Sequence, residues 1–200
     1  MKKLVYCILF LIVFCPPAAA GKTGDVEILL KEKIDKVLDL LRDKNLDKKQ
    51  RNEGILEIVD PMFDFKLMAK LSLGKKHWPG LNKDEKNEYL ELFVKRMKES
   101  YLEKMDLYTD EDMVYDEAKA VGKKVHMKTY LASRDNKLEM LYKFYRSGER
   151  WKVYDVEIEG VSIIQTYRSQ FDGVLRDGTV ADLIAKLKKP GEFSSVEVNN

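Results

Sequence analysis

The sequence predicts an α+β fold, with helices packed on a curved four-stranded antiparallel sheet and further helices after it. Three observations predict this class. Apolar residues recur at helical spacing from Asp25 to Met105, alternate at strand spacing from Met113 to Ile158, and return to helical spacing after Gly160. Helices followed by a meander of strands are typical of α+β proteins, with the helices on one face of the sheet.

The first twenty residues have the pattern of a secretory signal peptide. Two lysines after Met1 precede an apolar run that ends at Phe14, and three alanines ending at Ala20 provide small residues for cleavage. Cys15 raises the alternative of a lipoprotein, but Phe14 stands where lipid attachment needs a small residue. We therefore expect a leader at residues 1–20 that is cleaved after export.

Loss of this leader changes what the composition implies. Cys7 and Cys15, the two cysteines of the chain, leave with it, so the exported chain can form no disulfide or thiolate metal site. The leader also removes two of the 36 basic residues, which brings them level with the 34 acidic ones. Proteins that bind nucleic acid usually have a basic excess, so no nucleic-acid partner is expected. The remaining length fits one domain at residues 21–189, followed by a flexible tail at 190–200.

Capping residues and apolar stripes predict four helices before the sheet. Asn82 with Glu85 three residues later is close to a capping box, while Asp64 can cap the preceding helix and Gly74 can end it. In the fourth helix, aromatic and methionine side chains recur every four residues, so their stripe drifts around the axis. The four predicted ranges are residues 25–43, 48–59, 64–74 and 82–105.

The central part of the chain predicts four strands joined by links of hairpin length. In the last strand, alternation places Trp151, Val153 and Asp155 on one face and Val156 and Ile158 on the other. The predicted strands are residues 113–121, 124–134, 137–146 and 150–158, and helices over 161–175 and 179–188 follow.

The sequence has no recognisable catalytic motif, such as those of zinc proteases, serine hydrolases or nucleotide-binding proteins. Asp64 and Asp155 are acids flanked by large apolar residues, and two buried carboxylates could form an acid/base pair. The alternative roles are structural, with Asp64 as a helix cap and Asp155 as a partner of Arg168 or of a backbone amide. We expect no enzyme, no cofactor and no metal site.

Two stretches carry a resemblance to a known family. The first is FDF at 63–65 with MA at 68–69, LG at 73–74 and Trp78, followed by the long helix. The second is WKVYDV at 151–156 with EGVS at 159–162, YR at 167–168 and Phe171. In order and spacing they resemble the MlaC family, the periplasmic phospholipid-carrier and toluene-tolerance component of an ABC transport system. The resemblance covers residues 25–188.

The resemblance implies a cone-shaped fold like that of nuclear transport factor, with an apolar cavity between sheet and helices. It also implies a lipid-carrier domain that moves a glycerophospholipid through the periplasm between the outer and inner membranes and so maintains outer-membrane lipid asymmetry. The implied partners are an inner-membrane ABC transporter complex with its periplasmic lipid-binding subunit, and an outer-membrane lipoprotein/porin complex. A carrier of another apolar ligand, such as a hopanoid, a small exported enzyme on the same fold and a purely structural interaction module remain alternatives.

Apolar residues on inward faces are the expected lipid contacts, although the same methionine and aromatic side chains also suit an ordinary core. Tyr167 and Arg168 are expected either at the headgroup or in a structural role, in which Arg168 pairs with Asp155. The expected lipid-binding residues are Phe65, Met68, Leu71, Phe93, Met97, Tyr101, Met140, Tyr142, Phe144, Val156, Ile158, Val161, Ile164 and Phe171.

Overall fold

The computed structural model has an α+β fold, and it describes residues 20–108, 111–132 and 137–193. Three predicted features lie wholly or partly outside these residues: 1–19 of the leader, 133–134 of the second predicted strand and 194–200 of the tail.

Six α-helices form within the described residues, besides a 3-10 helix at Trp78–Gly80, and the four predicted N-terminal helices are confirmed. The third is interrupted at Gly74, its predicted end, by non-helical geometry and then continues to His77. Asp64 caps its helix by accepting a hydrogen bond from Leu67 N at 2.9 Å. Asn82 and Glu85 form the predicted capping box, with reciprocal bonds of 2.9 and 2.8 Å. None of these six helices has an apolar stretch long enough to cross a membrane. They are α1 Ala20–Arg42, α2 Lys48–Val59, α3 Phe65–His77, α4 Lys83–Met105, α5 Ile163–Asp177 and α6 Val180–Leu187.

The predicted sheet of four strands is wrong in number, because the described residues form six. The first predicted strand is two short strands, and its break lies where Ala118 N donates to Glu27 of α1 at 2.6 Å instead of to a strand. The predicted start of the helix after Gly160 is a two-residue strand, and Ser162 then caps α5. The strands are β1 Asp112–Tyr115, β2 Lys119–Val121, β3 Lys124–Ala132, β4 Lys137–Ser147, β5 Arg150–Ile158 and β6 Val161–Ser162. The pairings among these six strands are antiparallel in the order β1-β3-β4-β5-β6, with β2 beside β1 on the same edge of β3.

A β-bulge in β5 changes which side chains face the helices. Adjacent residues of β4 pair with Asp155 and with Val153, so Tyr154 is an extra residue without an opposite partner. The bulge reverses the alternation after Val153. The predicted face assignment is therefore wrong, because Val156 lies in the same apolar cluster as Trp151 and Val153, whereas Asp155 points to the opposite face.

Two apolar layers position the site. Helix α1 packs on the inner face of the sheet, and α2 packs against α1. Helices α3 to α6 enclose a separate aromatic cluster whose neighbouring ring centroids are 5.1 to 6.3 Å apart. Its members are Tyr89, Phe93, Tyr167, Phe171 and Phe193. Since Phe193 is buried in this cluster, packed structure extends into the segment predicted as a tail.

The chain between α2 and α3 joins these layers at the free edge of β5. Val153 N donates to Met62 O, and Asp64 N donates to Val153 O, both at 2.9 Å. Phe63 thereby pairs in parallel with Val153. This short crossing covers the strand edge and holds the start of α3 beside the sheet.

Candidate functional site

A cavity of about 780 Å³ lies between the sheet and helices α1, α2 and α4. Its size is near the upper end of the range for small-molecule sites in proteins. Most of its surface is apolar, because the inward stripes of three helices and one face of the sheet meet there.

Most of the helical side of the cavity comes from three elements, and Phe65 and Ile163, the first residues of α3 and α5, complete it. The apolar stripe of α1 contributes Ile34, Val37, Leu38 and Leu41, and α2 with the crossing segment contributes Leu56, Val59, Met62 and Phe63. The C-terminal half of α4 contributes Met97, Tyr101 and Met105. None of the α1 and α2 residues was among the predicted lipid contacts. The sequence feature that could have predicted the α1 residues is the apolar stripe of that helix, which is apolar enough to form a second wall of the cavity.

The sheet side of the cavity comes from inward residues of four strands. They are Met113 of β1, Leu131 of β3, Leu138, Met140 and Tyr142 of β4, and Val156 and Ile158 of β5. Along β4, the next inward residue is Phe144, which is fully buried and does not line the cavity. Along β4, the lining therefore stops at Tyr142.

Charged and exposed lining residues mark the cavity mouth at the opposite end of β4. Lys137 and Glu159 are exposed, and Leu107, after α4, is 72% exposed. Glu159 has a positive φ of 49°, and its backbone N donates to Glu139 O at 3.0 Å. From Lys137 at the mouth to Tyr142 the strand extends about 17 Å, at about 3.3 Å per residue.

Seven of the fourteen predicted lipid contacts lie together around the cavity: Phe65, Met97, Tyr101, Met140, Tyr142, Val156 and Ile158. The structure places the other seven elsewhere. Phe93 and Phe171 belong to the aromatic cluster, Met68 and Ile164 pack in the same core around it, and Phe144 is buried beneath α1. Leu71 and Val161 are 36% and 47% exposed and do not line the cavity.

The drift of the α4 stripe explains why only part of it reaches the cavity. Each step of four residues advances by about 40° around a helix with 3.6 residues per turn. Phe93 therefore faces α5, where its ring centroid is 5.3 Å from that of Tyr167, whereas Tyr101 and Met105 face the cavity. Met97, between them, contributes to both.

Tyr167 and Arg168 lie away from the cavity. Tyr167 is fully buried in the aromatic cluster, and Arg168 Nε lies 3.9 Å from Asp172 Oδ2 on the surface of α5. The predicted pair between Arg168 and Asp155 is wrong. Asp155 instead pairs with Lys143 Nζ at 3.0 Å and accepts hydrogen bonds from Ser162 Oγ at 2.9 Å. The bulge causes this, since it turns Asp155 toward the outer face of the sheet.

The two acids considered as a catalytic pair both have structural contacts. Asp64 caps α3 and accepts a hydrogen bond from the hydroxyl of Tyr145. Asp155 holds the β5–α5 junction through Ser162 and the backbone N of Ile164. Neither side chain lines the cavity. Within residues 20–108, 111–132 and 137–193, no three or more His, Cys, Asp or Glu side chains are grouped as metal ligands would be.

Tyrosines provide the uncharged polar groups of the lining. Burial raises the pKa of Tyr142 to about 12, and burial followed by the nearby Tyr142 raises the pKa of Tyr101 above its usual value of 10. These hydroxyls stay protonated at neutral pH, so they can donate hydrogen bonds into the cavity.

A comparison with protein-family models matches residues 31–189 to the family described as MlaC protein. The chain belongs to the MlaC family. Its structure also resembles a solved structure, that of a phospholipid-binding protein from Ralstonia solanacearum in complex with a phospholipid. The two share 22% sequence identity with a TM-score of 0.69, and the match covers 80% of this chain and 93% of the other. This likeness shows that the two proteins share a fold.

Proposed function

We propose that this chain binds a glycerophospholipid by its acyl tails and carries it, without chemical change, through the periplasm. The observation that carries the proposal is a large apolar cavity that opens to solvent, in a member of the MlaC family. The phospholipid bound to the Ralstonia protein of similar fold supports the same class of ligand.

The cavity volume suits two acyl chains. An engineered cavity of about 150 Å³ accepts benzene, which has six carbon atoms, and this corresponds to about 25 Å³ per carbon. On that scale, 780 Å³ holds about 30 carbon atoms. Exposing about 30 methylenes to water costs about 24 kcal/mol, at about 0.8 kcal/mol each. A lipid that crosses an aqueous compartment therefore needs such a cavity.

The mouth suits a headgroup that stays in solvent. The lining includes Lys33, Lys98 and Lys104 with Glu111 and Glu159, so it has both signs of charge for a zwitterionic or anionic headgroup. Lysine side chains are flexible and bind phosphate as point charges, so they do not form a rigid clamp. A carrier must release its lipid, and we propose that partner proteins determine the direction of transfer.

The cellular part of the proposal extends beyond the cavity. We propose export by a leader at residues 1–20, a cone-shaped lipid-carrier domain at 21–189, and exchange of lipid with an inner-membrane ABC transporter complex through its periplasmic lipid-binding subunit. An outer-membrane lipoprotein/porin complex would be the second partner, and together they would maintain the lipid asymmetry of the outer membrane. The family and the ligand of the Ralstonia protein support this role.

The direct test is to identify what the protein contains after purification without detergent. Native mass spectrometry and lipid extraction should find about one two-chain phospholipid per chain. An apolar ligand of another class, such as a hopanoid, would contradict the proposed substrate, and protein that neither contains nor takes up any lipid would contradict the carrier function.

Two matched variants connect the lipid to this cavity. Met140→Asp places a charge on the cavity wall, so we expect bound lipid to fall at least tenfold while circular dichroism stays unchanged. Leu71→Asp adds the same charge on α3, where the side chain is 36% exposed and outside the cavity, and should keep its lipid. If Leu71→Asp loses lipid and Met140→Asp keeps it, the lipid binds elsewhere.

A further inference from the structure

Three hydroxyl groups occur among the residues that line the cavity, and two of them lack a strong partner among the described residues. The hydroxyl of Tyr108 accepts from Arg42 Nε at 3.1 Å and donates to Glu111 O at 2.9 Å. That of Tyr142 contacts only Met140 Sδ, at 3.8 Å, within the described part of the chain. Within the same described part of the chain, the hydroxyl of Tyr101 has no hydrogen-bond partner.

Such hydroxyls are costly to leave unpaired. Thioether sulfur is a weak acceptor, so the contact with Met140 satisfies little of the hydrogen-bonding capacity of Tyr142. Burial raises the pKa of both tyrosines, which indicates surroundings that solvate charge poorly. Buried polar groups in proteins almost always have a partner, and the cavity that both tyrosines line has space for one. Tyr101 and Tyr142 therefore need an acceptor on the ligand.

The depth of these hydroxyls limits which part of a lipid can provide that acceptor. Tyr142 points its hydroxyl back toward Met140, three residues or about 10 Å along β4 from Lys137 at the mouth. In a phospholipid the ester groups connect the phosphate-bearing glycerol to the tails. When the phosphate stays at the mouth, the esters enter just behind it, and the hydrocarbon beyond them has no acceptor.

We propose that Tyr101 and Tyr142 donate hydrogen bonds to the ester carbonyl oxygens of the bound lipid, so that the cavity prefers ester-linked to ether-linked chains. This inference rests on the proposed function. Two donors on facing walls, one on α4 and one on β4, match the two esters of a two-chain lipid. The headgroup plays no part in this preference, because the recognised atoms lie below it. A trapped water molecule on the two hydroxyls is the rival arrangement, and it predicts no preference between the two linkages.

The test compares two phosphatidylcholines with identical saturated chains, one with ester and one with ether linkages. Each competes with a fluorescent phospholipid for the full-length exported protein. We expect the diester lipid to bind more tightly, by about fivefold for each hydrogen bond, which is a typical net value for one neutral bond. Tyr101→Phe and Tyr142→Phe should each weaken binding of the diester lipid by that factor and leave the diether lipid unchanged. The double variant should bind both lipids equally.

A third tyrosine provides the matched control. The hydroxyl of Tyr89 donates to Ala69 O at 3.0 Å in the aromatic cluster, outside the cavity. Tyr89→Phe should lower the stability of the fold and keep the diester preference. Equal binding of both lipids by the unsubstituted protein would overturn the inference while leaving the proposed function intact. Failure of both lipids to bind would refute the proposed function and this inference with it.

Discussion

A substitution that fills part of the cavity should reduce the longest acyl chains that the cavity can hold. Val156 lines the sheet side and is 6% exposed, and Val156→Phe adds four carbon atoms directed at the lumen. At about 25 Å³ per carbon, the substitution removes about 100 Å³ of the 780 Å³, which is room for about four lipid carbons. A lipid that just fills the unsubstituted cavity would leave about four methylenes in water when bound to the variant. At about 0.8 kcal/mol for each, its binding free energy falls by about 3 kcal/mol, or about a hundredfold in affinity.

The assay is a competition series with phosphatidylcholines of increasing chain length. For the unsubstituted protein, affinity should rise with each added carbon and level off near about 30 chain carbons, where the cavity is full. For Val156→Phe the plateau should begin about four carbons earlier, and lipids shorter than this should bind as before.

Val161→Phe is the matched control, because it is the same substitution five residues later at a position that is 47% exposed and outside the cavity. Its plateau should not move. The volume argument would be refuted if Val156→Phe weakened binding of short and long lipids equally. It would also be refuted if the unsubstituted protein had no plateau at all.

Three further predictions concern the frame around the cavity. Gly74→Ala should lower the free energy of unfolding by about 1–2 kcal/mol in urea, since φ is 76° there and a Cβ would lie 3.2 Å from the Arg168 guanidinium. Gly173→Ala, in α5 with open space around it, should stabilise by about 0.5–1 kcal/mol, and equal effects of the two would contradict the strain argument. Asp155→Ala should destabilise by about 2–3 kcal/mol in the same assay, because it removes a buried carboxylate that joins β5 to α5, whereas a change below 0.5 kcal/mol would count against that role. Burial, with lysines nearby, lowers the pKa of His126 below its usual 6.5 in the folded protein. As the pH falls, the unfolded chain therefore binds a proton at His126 before the folded chain does, so the free energy of unfolding should fall below about pH 6.5. His126→Gln should reduce that fall in urea titrations at pH 7.5 and 5.0, and an unchanged pH dependence would exclude His126 as its source.

Local features could be predicted from the sequence because they depend on neighbours within a few residues. The capping box of Asn82 and Glu85, the cap by Asp64 and the interruption at Gly74 all lie where the sequence places them. Strand periodicity also located β3, β4 and β5 within about two residues at each end of their described parts. Family membership could likewise be inferred, because its motifs are short and local.

The lining of the cavity could be predicted only in part. Alternation along β4 correctly grouped Met140 with Tyr142, but it could not exclude Phe144 from the same group. Where a cavity ends depends on what packs opposite each position, and α1 fills the space above Phe144. The sequence contains the α1 stripe but does not indicate which part of it faces a neighbour and which part faces the lumen.

The sequence by itself determined the helices, the caps at Asp64 and Asn82, most strands and the apolar side of most elements, because these follow from backbone hydrogen bonding and side-chain spacing. Tertiary structure decided three things that spacing does not contain. The bulge at Tyr154 reversed the faces of β5 and gave Asp155 its lysine partner. The drift of α4 divided one stripe between a solid core and a cavity. Tertiary structure also decided which tyrosine hydroxyls remain unpaired. This depends on distances between α4 and β4, which are more than 30 residues apart in the chain.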